Sequence, residues 1–518
     1  MKLSNKIEVC LGCGIKLEQG IPFETFNYNP SIFLCANCQK HFKKIFANIR
    51  NDAFKIMGRN IRLNEKFDLF VENEEMLKVD IDDSIYFNSS KKVREYMFSL
   101  LEEVHRFAYH ASFECHLFCD MFEEPNPLFF SDRFFLTNSA IKTMGAWEKI
   151  LRFFSLFYEI ELDTNPKNNS FITLQKKLKK TDFVNTQIYS AFLQLKSNGT
   201  FNKIDEARKN NDHNVSYHLG GNNYKVLSKI AIAVLQNTDA IYNGLEEALL
   251  LFEKRSRLVD KKFIQTFSIV TKVEENDKVF KKKALKIKSN FSFNEVNKII
   301  LKSVGYTQWA NNRLEDVSGW KIKYSSPPLL SIYYRLIDIT FRLHEGTRSL
   351  GFATDMFGDA IELEYVDLDK YWIRFDGMNY RYFIHSALIR IYSVYDKLGK
   401  IIQELFEVDL KNTSFEATID YIRKNEDASF YNTLPPLKVI NRIISHASYK
   451  KLYNTRQDFF HLLVMQDFMN PRYKEVIDME LMIAVIDNCK MIYELIETID
   501  RALFHFHQIG LYHERNTD

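Results

Sequence analysis

Apolar residues recur at intervals of three and four along most of the chain, which is the period of an amphipathic helix. The spacing is clear in two separate segments, at Leu151, Phe154, Phe157 and Tyr158 and at Leu398, Ile401, Ile402 and Leu405. Each such helix has one apolar face that must be buried against another helix. The pattern therefore predicts antiparallel helical bundles and an all-α fold.

One stretch departs from the helical period. Between Lys261 and Lys288 apolar and polar residues alternate as they do in strands, and Pro327-Pro328 closes the region. Residues 259–328 are predicted to be a basic connecting segment. The lysines predicted to contact an RNA backbone are Lys281, Lys282, Lys283, Lys286 and Lys288. A solvated linker is the alternative interpretation of the same charge.

The chain also repeats itself, because the block from Val93 to Phe252 recurs in diverged form from Leu329 to Phe506. Landmarks of the first block recur in the same order in the second. Arg106 corresponds to Arg342, Asp120-Met121-Phe122 to Asp355-Met356-Phe357, and Trp147-Glu148-Lys149 to Tyr395-Asp396-Lys397. Further along, Phe157 to Leu162 corresponds to Leu405 to Leu410, and Ser170-Phe171 to Ser414-Phe415. Both blocks end in a long helical pattern. The repeat predicts two bundles of one topology, at 93–258 and 329–510.

Length and composition agree with several helical domains. A chain of 518 residues with 46% apolar residues is too long for one core and too apolar for disorder. No run of eighteen apolar residues occurs, and the charged N-terminus does not resemble a signal peptide. We therefore expect a cytoplasmic protein with no membrane partner. A net charge of +3 does not indicate whether the chain binds nucleic acid, because the local distribution of charge matters more.

A metal site is predicted near the N-terminus. Two C-x-x-C pairs, Cys10 with Cys13 and Cys35 with Cys38, are about twenty residues apart, a spacing at which four thiolates can enclose one zinc ion. The second pair leads into a basic amphipathic helix at 39–46, as in zinc-ribbon and treble-clef modules. Residues 1–60 are thus predicted to be a structural zinc module, and two redox-active cysteine pairs are the alternative.

Each repeat carries an Arg-x4-His motif just before its last long helix. The motifs are Arg208 with His213 and Arg456 with His461. Random placement gives fewer than about one such pair in a chain of this composition, so one motif alone means little. Two motifs at matching points of a repeat are much more specific.

With these motifs the sequence resembles the HEPN superfamily, whose helical bundles pair two Arg-x4-His motifs into one metal-independent ribonuclease site. The resemblance covers both blocks, roughly two thirds of the chain. It implies two tandem HEPN bundles that form an intramolecular pseudo-dimer. It also implies an endoribonuclease whose catalytic residues are Arg208, His213, Arg456 and His461, with products that carry a 2′,3′-cyclic phosphate and a 5′-hydroxyl. Zinc would then be structural, with no cofactor in catalysis.

The residue types suit that chemistry, since histidine can move a proton near neutral pH and arginine binds phosphate oxygens. Five residues along a regular helix correspond to about 140° around its axis, so the motif is predicted at a helix start or distortion. Asn454-Thr455 is the predicted cap before Arg456. One departure from the family is the residue after the arginine, Lys209 or Gln457, where a small polar residue is usual.

Related nucleases are toxins or abortive-infection effectors, and tandem HEPN units resemble the core of RNA-guided effectors. The candidate partners are an RNA substrate and, as regulators, a guide RNA, an antitoxin or a phage-derived trigger, while a homo-oligomer stays open. The alternative function is a non-catalytic HEPN and zinc-ribbon module that binds nucleic acid or protein. Cys115 and Cys119 are predicted to be core cysteines, and the histidines predicted to be structural or solvated are His110, His116, His446, His505 and His507.

Overall fold

A computed structural model describes residues 36–77, 85–123, 132–160, 162, 170–212, 224–254, 286–287, 292–319, 327–362, 379–405, 410, 414–424, 435–461 and 471–508. Throughout these ranges the regular structure is helical and no strand occurs, which confirms the all-α prediction. None of the helices in these ranges is long and apolar enough to cross a lipid bilayer. The alternating stretch at 261–288 lies outside the described residues, apart from 286 and 287.

The chain divides into two compact units. The first is built on six described α-helices and most of a seventh, α6, which belongs to this unit as far as Arg208. These helices are α1 (Ala36–Leu77), α2 (Ile85–Glu123), α3 (Asp132–Phe157), α4 (Phe171–Leu178), α5 (Gln187–Ser197), α6 (Thr200–Asp212) and α7 (Tyr224–Lys254). A 3₁₀ helix at Asp182–Asn185 joins α4 to α5. The second is also built on seven: α8 (Phe293–Gly319), α9 (Pro327–Glu362), α10 (Tyr380–Leu405), α11 (Phe415–Lys424), α12 (Pro435–Ser445), α13 (Ala447–His461) and α14 (Pro471–Gln508).

The same helix pairs pack together in both units. In the first, α2 packs on α1, α3 and α7, and α5 packs on α7; in the second, α9 packs on α8, α10 and α14, and α12 packs on α14. The third helix of each unit is central and nearly all of its side chains are buried. The predicted internal repeat therefore has a structural counterpart in helix order and in packing.

Buried polar contacts repeat as well. Lys149 Nζ lies 2.5 Å from Glu103, and Lys397 Nζ lies 2.5 Å from Asp338 at the corresponding place. All four side chains are buried, and burial of two charges is tolerated only where the charges pair. These ion pairs fix the register of the third helix against the second in each unit.

A second repeated contact joins the third helix to the last one. Trp147 Nε1 donates to Asn237 Oδ1 at 3.0 Å, and Tyr395 OH donates to Asn488 Oδ1 at 2.7 Å. Both asparagines also donate to a carbonyl one turn earlier in their own helix, so their amides are held in place. The landmark aromatic residues of the repeat thus have the same structural role.

The first helix of each unit extends the repeat beyond the blocks that the sequence delimits. Helix α1 runs to Leu77 and buries a stripe of apolar side chains that includes Phe42, Phe46 and Ile49. The Phe46 and Phe118 rings meet edge to face with centroids 5.4 Å apart, which joins α1 to α2. Helix α8 lies inside the segment predicted to be connecting, and it packs on α9 and α14.

His344 of α9 lies at the contact between α9 and α8. The guanidinium of Arg348 donates to its Nε2 at 2.7 Å, and Ser303 Oγ of α8 lies 3.1 Å from its Nδ1. Burial lowers the pKa of His344 to about 4, with the Arg348 charge adding to the effect. The ring is therefore neutral near pH 7, and its role is to hold two helices together.

Candidate functional site

Arg208, the first motif arginine, lies in the last turn and a half of α6. Its apolar neighbours Phe201, Ile204 and Ala207 are buried, which fixes the orientation of the helix. The Nη2 atom lies 3.1 Å from Asp205 Oδ1 in the same helix, and Nη1 lies 3.7 Å from Glu148 Oε1 in α3. About a quarter of the side chain is exposed, at 24%. The guanidinium is thus held by carboxylates at the edge of the first unit.

Arg456, the second motif arginine, lies in the corresponding helix, α13, but in different surroundings. Its guanidinium carbon is 4.4 Å from the centre of the Tyr392 ring of α10, a cation–π contact. The Tyr392 hydroxyl donates to Glu416 Oε1 at 3.0 Å, and Tyr449 OH donates to the same carboxylate. Burial raises the pKa of Tyr392 well above its ordinary value, while the Arg456 charge opposes the shift. Tyr392 is therefore a neutral platform for the arginine.

A close backbone approach builds that platform. A Cβ added at Gly399 of α10 would lie 3.1 Å from the Phe415 Cα, so any larger residue would push the start of α11 away by a few tenths of an ångström. The approach brings Glu416 within reach of Tyr392 and Tyr449. Asp396 adds a contact at the same place by accepting from the Phe415 backbone N–H at 3.3 Å.

The motifs lie at helix ends rather than helix starts. Helix α6 ends at Asp212, one residue before His213, and α13 ends at His461. Thr455 is inside α13, where its hydroxyl donates to the Lys451 carbonyl at 2.9 Å. The predicted Asn454-Thr455 cap is therefore wrong, because the helical pattern of α13 already begins at Ala447. His213 and the side chain of His461 lie outside the described residues.

The two arginines correspond in the repeat, yet their partners differ. Each lies on the next-to-last helix and meets the central helix of its own unit, through Glu148 in α3 or Tyr392 in α10. A guanidinium with fixed orientation and partial exposure can present its planar fork of donors to a phosphate. The carboxylates beside Arg208 would compete with a phosphate for its donors, whereas the contact described for Arg456 is with an aromatic ring.

Sequence reasoning found part of these surroundings. Glu148 belongs to a repeat landmark, and its acidic character was visible beside Lys149. Nothing in the pattern marked Asp205, Tyr392 or Glu416, because such residues are common on amphipathic helices and only packing brings them to an arginine.

The other predicted site residues are mostly outside the described part. Cys10, Cys13 and Cys35 of the predicted zinc site lie there, as do Lys281, Lys282, Lys283 and Lys288. Cys38 is in the first turn of α1 and is half-buried, and Lys286 is exposed.

The remaining cysteines and histidines agree with the structural role predicted for them where they are described. Cys115 and Cys119 are buried, and Cys115 Sγ lies 3.1 Å from Ser139 Oγ, while burial raises the pKa of its thiol to about 12. His110 is buried, and His116 Nε2 pairs with Asp120 at 3.0 Å. His446 is exposed between α12 and α13 and accepts from the Ser448 N–H at 3.2 Å. The side chains of His505 and His507 lie outside the described residues.

Comparison with known proteins gives one positive result. Residues 337–507, which span most of α9 and the helices from α10 to α14, match a family model described as HEPN_Cthe2314-like HEPN. No curated protein and no solved structure matches the chain significantly. The matched region contains Arg456 and His461. The match supports an assignment of the second helical unit to the HEPN superfamily.

Proposed function

We propose that this chain is a metal-independent endoribonuclease whose composite active site is formed by Arg208, His213, Arg456 and His461. The observation that carries the proposal is the pair of Arg-x4-His motifs at equivalent helices of two units with the same helix order. The family match in one unit supports an RNA-related function for the motif it contains. The equivalent packing of the other unit extends that function to its own motif.

In the proposed reaction one histidine removes the proton of a ribose 2′-hydroxyl. The 2′-oxygen then forms a bond to phosphorus while the bond from phosphorus to the 5′-oxygen breaks. The other histidine protonates the leaving 5′-oxygen, so the products carry a 2′,3′-cyclic phosphate and a 5′-hydroxyl. Arg208 and Arg456 stabilise the negative charge that gathers on the phosphate oxygens.

The tandem arrangement follows from the need for two histidines. One motif supplies one acid–base group, and a reaction with a base and an acid requires two. Two HEPN-like units in one chain, arranged as an intramolecular pseudo-dimer, would provide both without a second copy. A function as a toxin or an anti-phage, abortive-infection effector is the biological role that such an RNase would have, with a guide RNA, an antitoxin or a phage-derived trigger as regulator.

A non-catalytic RNA-binding or protein-binding role is the second candidate. Arg208 favours it, since Asp205 and Glu148 lie 3.1 and 3.7 Å from its guanidinium and would have to release it before it could bind phosphate. On this alternative the first unit serves as a scaffold, and the zinc module docks to nucleic acid or to a partner protein.

The nuclease is tested by incubating the purified chain with a mixed RNA pool and with DNA of the same length, both with excess EDTA. We expect RNA to be cut and DNA to stay intact, because the attacking group is the 2′-hydroxyl. Analysis of the ends should find 2′,3′-cyclic phosphate and 5′-hydroxyl groups. Cleavage of both polymers, or products with 5′-phosphates, would contradict this mechanism.

A structural zinc ion is proposed for Cys10, Cys13, Cys35 and Cys38. The place of Cys38 in the first turn of α1 suits a thiolate ligand, because a helix N-terminus stabilises negative charge. We expect elemental analysis to find one zinc per chain, and Cys38→Ser to lose it. Cys489→Ala, which alters a buried cysteine of α14, should keep the metal. Protein purified without chelator and free of zinc would refute the site.

A further inference from the structure

A groove within the second unit separates α8 from α14. It has a volume of about 480 Å³ and is lined by Lys302, Gly305, Tyr306, Trp309, Glu497, Asp500 and Arg501. The volume is within the range of small-molecule sites. All of these residues belong to the second unit. The motif residues are not among them, so the groove is a separate feature of the fold.

At the corresponding seam of the first unit, one side chain joins α1 to α7. Arg59 of α1 lies over the Tyr242 ring of α7 and contacts Asp239 at 2.6 Å, Asn243 at 2.7 Å and Glu246 at 3.2 Å. Tyr242 and Glu246 are each 251 positions before Tyr493 and Glu497, the same interval that separates Asn237 from Asn488. The two seams therefore correspond, and the second unit has Tyr306 where the first has Arg59.

The groove combines aromatic rings with basic groups. Trp309 is half-exposed, and its ring centroid is 5.6 Å from that of Tyr306, which in turn lies 4.7 Å from that of Tyr493. The Lys302 ammonium is 4.9 Å from the Tyr493 centroid and 3.3 Å from Glu497 Oε1. Arg501 is exposed and donates to the Glu497 carbonyl at 3.2 Å. Flat apolar rings and two cations therefore line the same space.

Two carboxylates complete the lining. Asp500 is paired with Arg313 at 3.3 Å and accepts from Tyr333 OH at 3.3 Å, and Glu497 accepts from Tyr306 OH. Both groups are acceptors whose charge is offset by neighbouring donors. They can accept from hydroxyl groups of a ligand, as acidic residues do from ribose in dinucleotide sites.

Gly305 keeps the groove open at a cost to the helix. It lies in the middle of α8, where glycine is less stable than alanine by roughly 1 kcal/mol. A Cβ added there would meet nothing within 4 Å. Close packing is the usual reason for a glycine inside a helix, but among the described residues no neighbour packs closely against Gly305.

We propose that this groove binds a nucleoside phosphate, with the base on Trp309, the phosphate at Lys302 and Arg501, and the ribose hydroxyls at Glu497 and Asp500. Lys302 and Arg501 can donate charge-assisted hydrogen bonds to a phosphate, and Glu497 and Asp500 can accept from hydroxyl groups. A purely apolar ligand would cover these polar groups and bond to none of them. A nucleoside phosphate offers stacking, negative charge and hydroxyl donors together. The ligand is either a free nucleotide or one nucleotide of an RNA.

The test is calorimetric titration of the full-length protein with ADP, with adenosine and with an adenosine hexanucleotide. The hexanucleotide is added to a His213→Ala/His461→Ala variant so that it stays uncut. We expect saturable binding of ADP, of the hexanucleotide, or of both. Binding of ADP identifies a free-nucleotide pocket, and binding of the hexanucleotide alone identifies an RNA subsite.

Gly305→Leu should weaken the binding at least tenfold, since the new side chain starts in the lining of the groove, where an added Cβ meets nothing within 4 Å. Gly58→Leu, at the matching position of α1, is the control and should bind as the unchanged protein does. The double variant Lys302→Ala/Arg501→Ala should weaken the binding of ADP about tenfold or more, because charge-assisted hydrogen bonds to phosphate are lost. The binding of adenosine, which has no phosphate, should change little. Trp309→Ala removes the ring on which the base would stack, so it should weaken binding independently of the phosphate contacts.

The proposal is overturned if neither ADP nor the hexanucleotide binds. It is also overturned if both Gly305→Leu and Trp309→Ala, shown by circular dichroism to be folded, bind as tightly as the unchanged protein. Hexanucleotide binding is assigned to the groove only where Gly305→Leu or Trp309→Ala weakens it, so the result does not depend on the proposed nuclease.

Discussion

His213→Ala and His461→Ala should each reduce RNA cleavage by about 10² to 10⁴-fold, the usual contribution of acid–base assistance. If both histidines act in one step, each single variant should be nearly as inactive as the double variant, because residues that act as a unit are not additive. Single-turnover cleavage of a labelled RNA measures the rate directly. His41→Ala, which changes an exposed histidine of α1, is the control and should keep full activity.

The arginines provide a second comparison within this experiment. Arg456→Lys keeps the charge but loses the planar fork and the stacking on Tyr392, so a large part of the activity should be lost. Undiminished cleavage by the double histidine variant would rule out the catalytic assignment. It would favour the non-catalytic role, under which the motif arginines bind RNA or a partner protein.

Lys397→Met should lower the free energy of unfolding by about 3–5 kcal/mol, since it leaves Asp338 buried without the ammonium that lies 2.5 Å away. Lys149→Met should act in the same direction in the first unit. There Glu103 also accepts from Arg106 at 3.3 Å. Burial lowers the pKa of Lys149, and the Glu103 carboxylate opposes the shift.

Urea denaturation of the full chain measures the effect. Lys397→Met combined with Asp338→Leu should recover most of the lost stability, because replacing both members of a buried pair by apolar groups is often neutral. Lys298→Met is the matched control: its partner Glu295 is near the surface, and exposed pairs contribute about 0–1 kcal/mol. Equal losses in Lys397→Met and Lys298→Met would contradict the role given to the buried pair.

Several features of the fold were predictable because they depend on local pattern. The period of three and four identified the central helices α3 and α10, and the landmarks Trp147-Glu148-Lys149 and Tyr395-Asp396-Lys397 aligned them. The structure explains why these landmarks recur. Their lysines form the buried ion pairs, and their aromatic residues contact the asparagines of the last helix.

Other features of the fold could not be predicted from the sequence. Helix α8 is not predicted, because the basic, alternating sequence before it was assigned together with it to one connecting segment. Its role as the counterpart of α1 appears only from the packing of both helices on equivalent partners. The cap predicted at Asn454-Thr455 was wrong, since capping residues also occur inside helices and bond back to an earlier carbonyl.

The all-α class, the repeat and the two Arg-x4-His motifs can be predicted from the sequence, because periodicity and spacing are properties of the chain alone. The contacts of Arg208 with Asp205 and Glu148, and of Arg456 with Tyr392, are known only from the packing of the helices. The same holds for Arg59, which joins α1 to α7 in the first unit, and for the groove beside Trp309 in the second. These differences arise from contacts between residues far apart in the chain. Such contacts depend on how helices pack, and a pattern read along one helix does not contain them.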